Sequence, residues 1–163
     1  MLDLTEVILD DGKVKQYEVL PELKVLSYRF GDFKILGGGP LTLEVENTGE
    51  QKLQISGRIG LDVEFPCARC LKSVSRRLDI QPELELDLQD NDYIEGYTLD
   101  VDQLVHDEAL LVWPERVLCR EDCKGLCAAC GKDLNDGPCN CADAPSDPRM
   151  AKILDIFSKY KEV

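Results

Sequence analysis

Leu53-Gln54-Ile55-Ser56-Gly57-Arg58-Ile59-Gly60-Leu61-Asp62-Val63-Glu64-Phe65 places an apolar side chain at every second residue, with Gly57 the one gap in the series. A helix would scatter these side chains around its circumference, whereas a strand gathers them on one face. Gly57 suggests a bulge or bend that lets so long a strand curl. Just upstream, Leu41, Leu43 and Val45 alternate with Thr42, Glu44 and Glu46 until Asn47-Thr48-Gly49 ends the run. Downstream, Leu78, Ile80, Leu84, Leu86 and Leu88 form a third alternating run, in which Pro82 makes a break or an edge. One apolar and one wet face imply an antiparallel sheet. Gly37-Gly38-Gly39-Pro40 reads as a turn, because no Lys-Ser/Thr follows to grip a phosphate. Residues 1–36 are compatible with short strands or with a helix.

After Asp90-Asn91-Asp92 the period changes. Asp100 and Gln103 resemble a capping box, and Val101, Leu104, Val105, Leu111 and Val112 follow at helical spacing until Trp113-Pro114 stops them. Glu108 falls on the apolar side, reaching the rim or pairing with Arg116. A second helix is expected from Asp147 and Pro148, with Met150, Ile153, Leu154 and Phe157 as its buried stripe. No internal repeat and no low-complexity tract stands out.

The chain of 163 residues suits one average domain, and its 44% apolar content is too high for disorder. No stretch approaches the roughly 20 apolar residues of a membrane helix. Met1-Leu2-Asp3-Leu4-Thr5-Glu6 carries acid where a secretory signal carries base, so a cytoplasmic location is expected. Net charge is −13, unevenly laid out: residues 67–78 hold Arg69, Lys72, Arg76 and Arg77 and no acid, whereas 79–115 hold 12 acids and neither Lys nor Arg. Such a run is a solvated surface, or one that repels nucleic acid and attracts a basic protein.

Eight cysteines stand in four close pairs: Cys67/Cys70, Cys119/Cys123, Cys127/Cys130 and Cys139/Cys141. In a reducing compartment this is metal-ligand spacing and not a disulfide framework. Cys127, Cys130, Cys139 and Cys141 span 15 residues and close a site locally, with Gly131 permitting a left-handed turn. Cys67 and Cys70 would then join Cys119 and Cys123 in a second site. Rival arrangements group Cys119 and Cys123 with Cys127 and Cys130, or leave Cys67 and Cys70 unligated in a plain hairpin. Four thiolates on zinc leave no position for water, which is architecture and not catalysis. A thiol–disulfide redox role for Cys67-Ala68-Arg69-Cys70 would need a helix N-terminus, but Leu71-Lys72-Ser73-Val74-Ser75 reads as strand. The lone histidine, His106, sits mid-helix beside Asp107 and Glu108 and reads as a surface residue. No catalytic motif appears, so no enzyme is expected.

Phe65-Pro66-Cys67-Ala68-Arg69-Cys70-Leu71, Leu99-Asp100 leading to Glu108-Ala109-Leu110-Leu111, Pro114, Leu118-Cys119, Asp122-Cys123-Lys124-Gly125-Leu126-Cys127, Cys130-Gly131, Leu134-Asn135, Cys139-Asn140-Cys141 and Asp147-Pro148-Arg149 together resemble the YceD-type large-ribosomal-RNA accumulation family. The likeness covers residues 40–157, and Trp113 stands where that family usually has something smaller. The resemblance implies a non-enzymatic role in synthesis, processing or stability of 23S ribosomal RNA. Partners would be that RNA or a pre-ribosomal particle, reached directly or through a basic ribosomal protein held by the acidic 79–115 region. Arg69, Lys72, Arg76 and Arg77 are the candidate RNA contacts, joined by Arg116, Arg120 and Lys124 if the second metal site draws them near. The expected fold is α+β. A curved antiparallel sheet fills the N-terminal two-thirds, followed by a helix, a cysteine-rich zinc-knuckle segment and a C-terminal helix. Residues 1–95 form the β region and 96–163 the remainder, packed as one unit.

Overall fold

The alternating run forms the middle of β6 (Lys52–Pro66), the strand on which the main sheet is built. The computed structural model describes residues 1–141; the helix expected from Asp147 lies outside the described residues. Ahead of β6 come β1 (Leu2–Asp3), α1 (Thr5–Ile8), β2 (Val14–Val19), β3 (Val25–Tyr28), β4 (Gly31–Gly38) and β5 (Leu41–Gly49). After it follow β7 (Ser73–Ile80), β8 (Glu83–Asp87), β9 (Ile94–Glu95), β10 (Thr98–Leu99) and α2 (Val101–Leu111). The first 36 residues thus contain both short strands and a single helical turn. Among the described residues no helix is long and apolar enough to cross a membrane.

β6 serves two halves of one antiparallel sheet. Its first half lies between β5 and β8, with Val45 opposite Ile55 and Ile55 opposite Leu84. Its second half lies between β4 and β7, with Ile35 opposite Val63 and Leu61 opposite Leu78. β2 extends the sheet beyond β5, and β3 beyond β4. Both flanking runs are interrupted near the middle of β6, at Gly39-Pro40 on one side and Gln81-Pro82 on the other. No bulge sits at Gly57. The register runs through it unbroken, and the irregularities fall between Ile35 and Gly37 and between Asn47 and Gly49. Gly57 is needed for a different reason. Its N–H donates to the Pro82 carbonyl at 3.0 Å, and a Cβ there would lie 2.5 Å from the Thr42 carbonyl oxygen.

Leu41, Leu43, Val45, Leu53, Ile55, Ile59, Leu61, Val63, Phe65, Leu78, Ile80 and Leu86 share one buried face. Each such side chain contributes about 1.5–3 kcal/mol on leaving water. Leu4 and Val7 from the α1 region and Val101, Leu104, Val105 and Ala109 of α2 belong to the same core. Asn47, 2% exposed, ends α1: its Nδ2 donates to the carbonyls of Val7 and Ile8 at 3.0 and 3.1 Å. That satisfies two carbonyls which a helix end leaves without partners.

Asp100 caps α2 by accepting from the N–H groups of Asp102 and Gln103 at 3.1 Å. The return half of a capping box does not form, because the Asp100 N–H donates to Tyr93 at 2.8 Å. His106 is more than a surface residue: its Nε2 lies 3.0 Å from the Ser27 carbonyl and ties α2 to β3. Glu108 is half-buried and makes no ion pair among the described residues; burial, helped by Asp107, pushes its carboxyl up. Past the helix, Trp113 packs on Tyr28, Phe33 and Phe65, with ring centroids 4.7–5.1 Å away. Phe65 is two residues from Cys67, so this packing steers the chain after α2 toward the end of β6. The fold is therefore α+β, mostly antiparallel sheet with few helices and with its cysteine clusters toward the C-terminal side.

Replacing Gly57 with alanine should lower the urea midpoint, by about 1–3 kcal/mol of stability, because the Thr42 carbonyl cannot retreat without breaking the β5–β6 ladder. An unchanged midpoint would show that the close approach is not a constraint.

Candidate metal centres

Eight cysteine sulfurs form two groups. Cys67, Cys70, Cys119 and Cys123 make one and Cys127, Cys130, Cys139 and Cys141 the other, with the sulfurs of each group all within 4.8 Å of one another. In the first, Cys67 Sγ is 3.8 Å from Cys123 Sγ and Cys70 Sγ is 3.6 Å from Cys119 Sγ. A tetrahedral metal with sulfur at ~2.3 Å requires an edge of ~3.8 Å. The donors fit such an ion in both number and spacing.

Backbone geometry explains the fit. Cys67 to Lys72 follows the end of β6 in a tight turn, with Cys67 N–H donating to the Lys72 carbonyl at 2.8 Å and Leu71 N–H to the Cys67 carbonyl at 2.9 Å. Cys127 to Lys132 repeats it: Cys127 N–H to Lys132 at 2.8 Å and Gly131 N–H to Cys127 at 2.8 Å. The fifth position of each turn is left-handed, Leu71 at φ 62° and Gly131 at φ 71°. Cys-Ala-Arg-Cys-Leu-Lys and Cys-Ala-Ala-Cys-Gly-Lys are thus two copies of one short turn, too brief to register as a sequence repeat. Cys67 opens no helix, which removes the helix field that a redox reading of Cys67 and Cys70 requires.

Amide donors surround the sulfurs. Cys119 N–H donates to Cys67 Sγ and Ala129 N–H to Cys127 Sγ, each at 3.4 Å. Burial pushes the Cys67 thiol up, but the N–H groups of Arg69, Cys70 and Cys119 outweigh it and bring the thiol down to about 6. The N–H groups of Cys130 and Ala129 likewise bring Cys127 down to about 6. The partners cannot all follow. Burial and hydrogen bonds from Cys123, Cys70 and Cys67 push Cys119 up to about 12, and the Cys130 contact with burial pushes Cys141 up to about 12. Each group is a thiol array that ionises fully only around a cation.

The expected basic patch is dispersed. Arg69 Nη1 donates to the Cys123 carbonyl at 2.6 Å, and Lys72 Nζ pairs with Asp133 at 2.7 Å and Asp136 at 3.7 Å. Both hold cysteine-bearing segments together. Arg76 and Arg77 are neighbours on β7 and so project to opposite faces. Arg77 pairs with Asp62 and Asp79, while Arg76 meets no carboxylate among the described residues. Arg120 pairs with Asp122 and donates to Asn135. Spacing of the cysteines did not disclose Asn135, whose Nδ2 donates to Cys123 Sγ at 3.4 Å. Burial pushes the Cys123 thiol up, and Asn135 with the Gly125 N–H brings it below its ordinary value.

A family model described as large ribosomal RNA subunit accumulation protein YceD matches residues 55–157. The chain is similar to uncharacterized proteins of Mycobacterium bovis and Mycobacterium tuberculosis, each 31% identical over 128 residues, which are 72% of this chain and 61% of the relative. An uncharacterized protein of Mycobacterium leprae is 28% identical over 134 residues, 74% of this chain and 61% of its own length. The chain therefore spans 61% of the length of these curated relatives. No solved structure matches it.

In the metal-free chain, alkylation of Cys127 should rise with pH through a midpoint near 6, and that of Cys141 only near 12, since the thiolate is the reactive form. Site-resolved mass spectrometry reads both. Two midpoints at the ordinary thiol value would contradict the array.

Proposed function

The chain belongs to the YceD family, and on that premise we propose that it is a non-enzymatic zinc-binding factor for biogenesis of the large ribosomal subunit, supporting 23S ribosomal RNA synthesis, processing or stability in the cytoplasm. The observation that carries the metal half is the division of all eight cysteine sulfurs into two groups of four. An all-thiolate tetrahedral set suits zinc and leaves no open position for water or substrate, so the ions brace the fold. The 127–141 segment is a zinc knuckle, and the metal supplies folding energy that its few apolar residues cannot. Paired interruptions in the strands beside the middle of β6 support a sheet curved at that level. The core shared by the sheet, α2 and Val117 supports packing of the β region, 1–95, as one unit with the described part of the 96–163 remainder.

The partner we propose is a basic ribosomal protein held by the acidic 79–115 region, through which the factor reaches the pre-ribosomal particle. A direct phosphate binder gains affinity from Lys and Arg that release counterions. Of the four candidate RNA contacts, Arg69 and Lys72 are engaged in holding cysteine segments and Arg77 in ion pairs. Twelve acids without one Lys or Arg between 79 and 115 favour a basic partner, by charge complementarity.

Recovery of bound material on the full-length chain, at two salt concentrations with and without RNase, tests this. The expected result is RNase-resistant, salt-sensitive recovery of a basic ribosomal protein. Loss of all bound material on RNase treatment would overturn it in favour of direct RNA contact.

A further inference from the structure

Asn135 lies between Cys130 and Cys139, inside the loop closed by one cysteine group, yet its amide serves the other group. Its Nδ2 donates to Cys123 Sγ at 3.4 Å and to Asp133 Oδ1 at 2.6 Å. Its Oδ1 accepts from the Lys124 N–H and from Arg120 Nη2, both at 2.8 Å. Two N–H donors and two lone pairs are all the amide has, and all are used, so it has a single orientation. Asp133 fixes that orientation from below, accepting the Asn135 backbone N–H at 2.8 Å as well. The other Asp133 oxygen pairs with Lys72 at 2.7 Å, and the Lys72 carbonyl accepts the Cys67 N–H at 2.8 Å.

Further bonds run the same way. Leu126 N–H donates to the Arg69 carbonyl at 3.1 Å, and Leu134 N–H to Gly125 at 2.9 Å. Gly125, at φ 78°, lets the chain pass close to Arg69: a Cβ there would sit 3.0 Å from the Arg69 carbonyl oxygen. The chain from Gly125 to Asn135 is therefore seated on the 67–72 turn, Leu126 meeting Arg69 and Asp133 meeting Lys72, while Asn135 reaches the Cys123 sulfur.

Resting on the metal-binding reading above, we propose that Asn135 is a positioning residue that couples the two metal sites. A cation held by Cys127, Cys130, Cys139 and Cys141 fixes the 131–136 loop, and the loop presents an N–H to the Cys123 thiolate of the other site. An N–H bonded to a metal-bound thiolate draws off charge, so the sulfur is a poorer target for protons and for a competing electrophile. It also holds the sulfur in place when the metal–sulfur bond stretches. Metal in the Cys67 group is thus retained longer while the Cys127 group is filled. Outer-shell partners of this kind are typically worth ~10–100-fold in metal affinity.

Two variants separate the sulfur bond from loop packing. Asn135→Asp keeps an oxygen facing Lys124 and Arg120 but has no N–H for the sulfur; Asn135→Leu removes both. Full-length protein is loaded with zinc, challenged with a chelator, and alkylated over time, with mass spectrometry assigning each cysteine to its group. Both variants should expose Cys67, Cys70, Cys119 and Cys123 about tenfold faster or more, with the Cys127 group changed less than about twofold. In cobalt-loaded Asn135→Asp the sulfur-to-metal charge-transfer band should move to lower energy. Emptying the second group with Cys139→Ala and Cys141→Ala should speed release from the first, and add little in the Asn135→Leu background. An unaltered rate and an unmoved band in Asn135→Asp, equal acceleration at both groups, or additive effects would each overturn the coupling. Fewer than two zinc ions on the unaltered chain would instead defeat the metal reading itself.

Discussion

Cys67 and Cys123 bring their sulfurs together across 56 residues of chain, and Cys70 and Cys119 theirs across 49. As thiols these groups attract one another weakly; as thiolates they repel. A dication between them reverses the sign of that interaction, and the N–H groups aimed at the sulfurs already favour the charged form. Closing a loop of roughly 50 residues costs about 3.5 kcal/mol in the simplest chain-entropy estimate. A structural zinc site can supply about 10–16 kcal/mol, so the metal term outweighs the closure.

The sheet makes that convergence inexpensive. β6 carries its apolar face for its whole length and ends at Pro66, one residue before the first ligand. α2 returns the chain across the same core, and Trp113 settles against Phe65. The Ala68 N–H then donates to the Val117 carbonyl at 2.8 Å, which brings Cys119 to within reach of Cys67. Burial of ordinary side chains brings the four sulfurs together, where a cation would lock them. The 127–141 segment that follows has little core of its own and is seated on the first cysteine group through Lys72, Asp133 and Asn135.

Much of this was legible in the residue pattern, because strand alternation and cysteine spacing are local signals. The strands at 41–49 and 52–66, the break at Pro82 and the helix capped by Asp100 all follow from periods of two or 3.6. The bulge expected at Gly57 is absent: a bulge and a close approach both call for glycine, and only the partner strand distinguishes them. The short elements before residue 36 hold too few residues for a period to show. Lys72 and Arg69 looked like free surface charge because their partners, Asp133 and the Cys123 carbonyl, lie more than 50 residues away. Asn135 escaped for another reason: Cys123 is only 12 residues away, but an asparagine in a loop usually signals a turn, and cysteine spacing says nothing of the amide that meets a sulfur.

An acidic scaffold braced by zinc without an open metal position would suit holding a partner, and the one long stretch free of Lys and Arg would offer the surface for it. Everything in that reading depends on the two groups of four sulfurs being metal sites. X-ray absorption at the zinc edge of the loaded full-length chain addresses this directly. The expected first shell is four sulfurs at about 2.3 Å around each zinc. A shell containing nitrogen or oxygen, or fewer than four sulfurs, would contradict it.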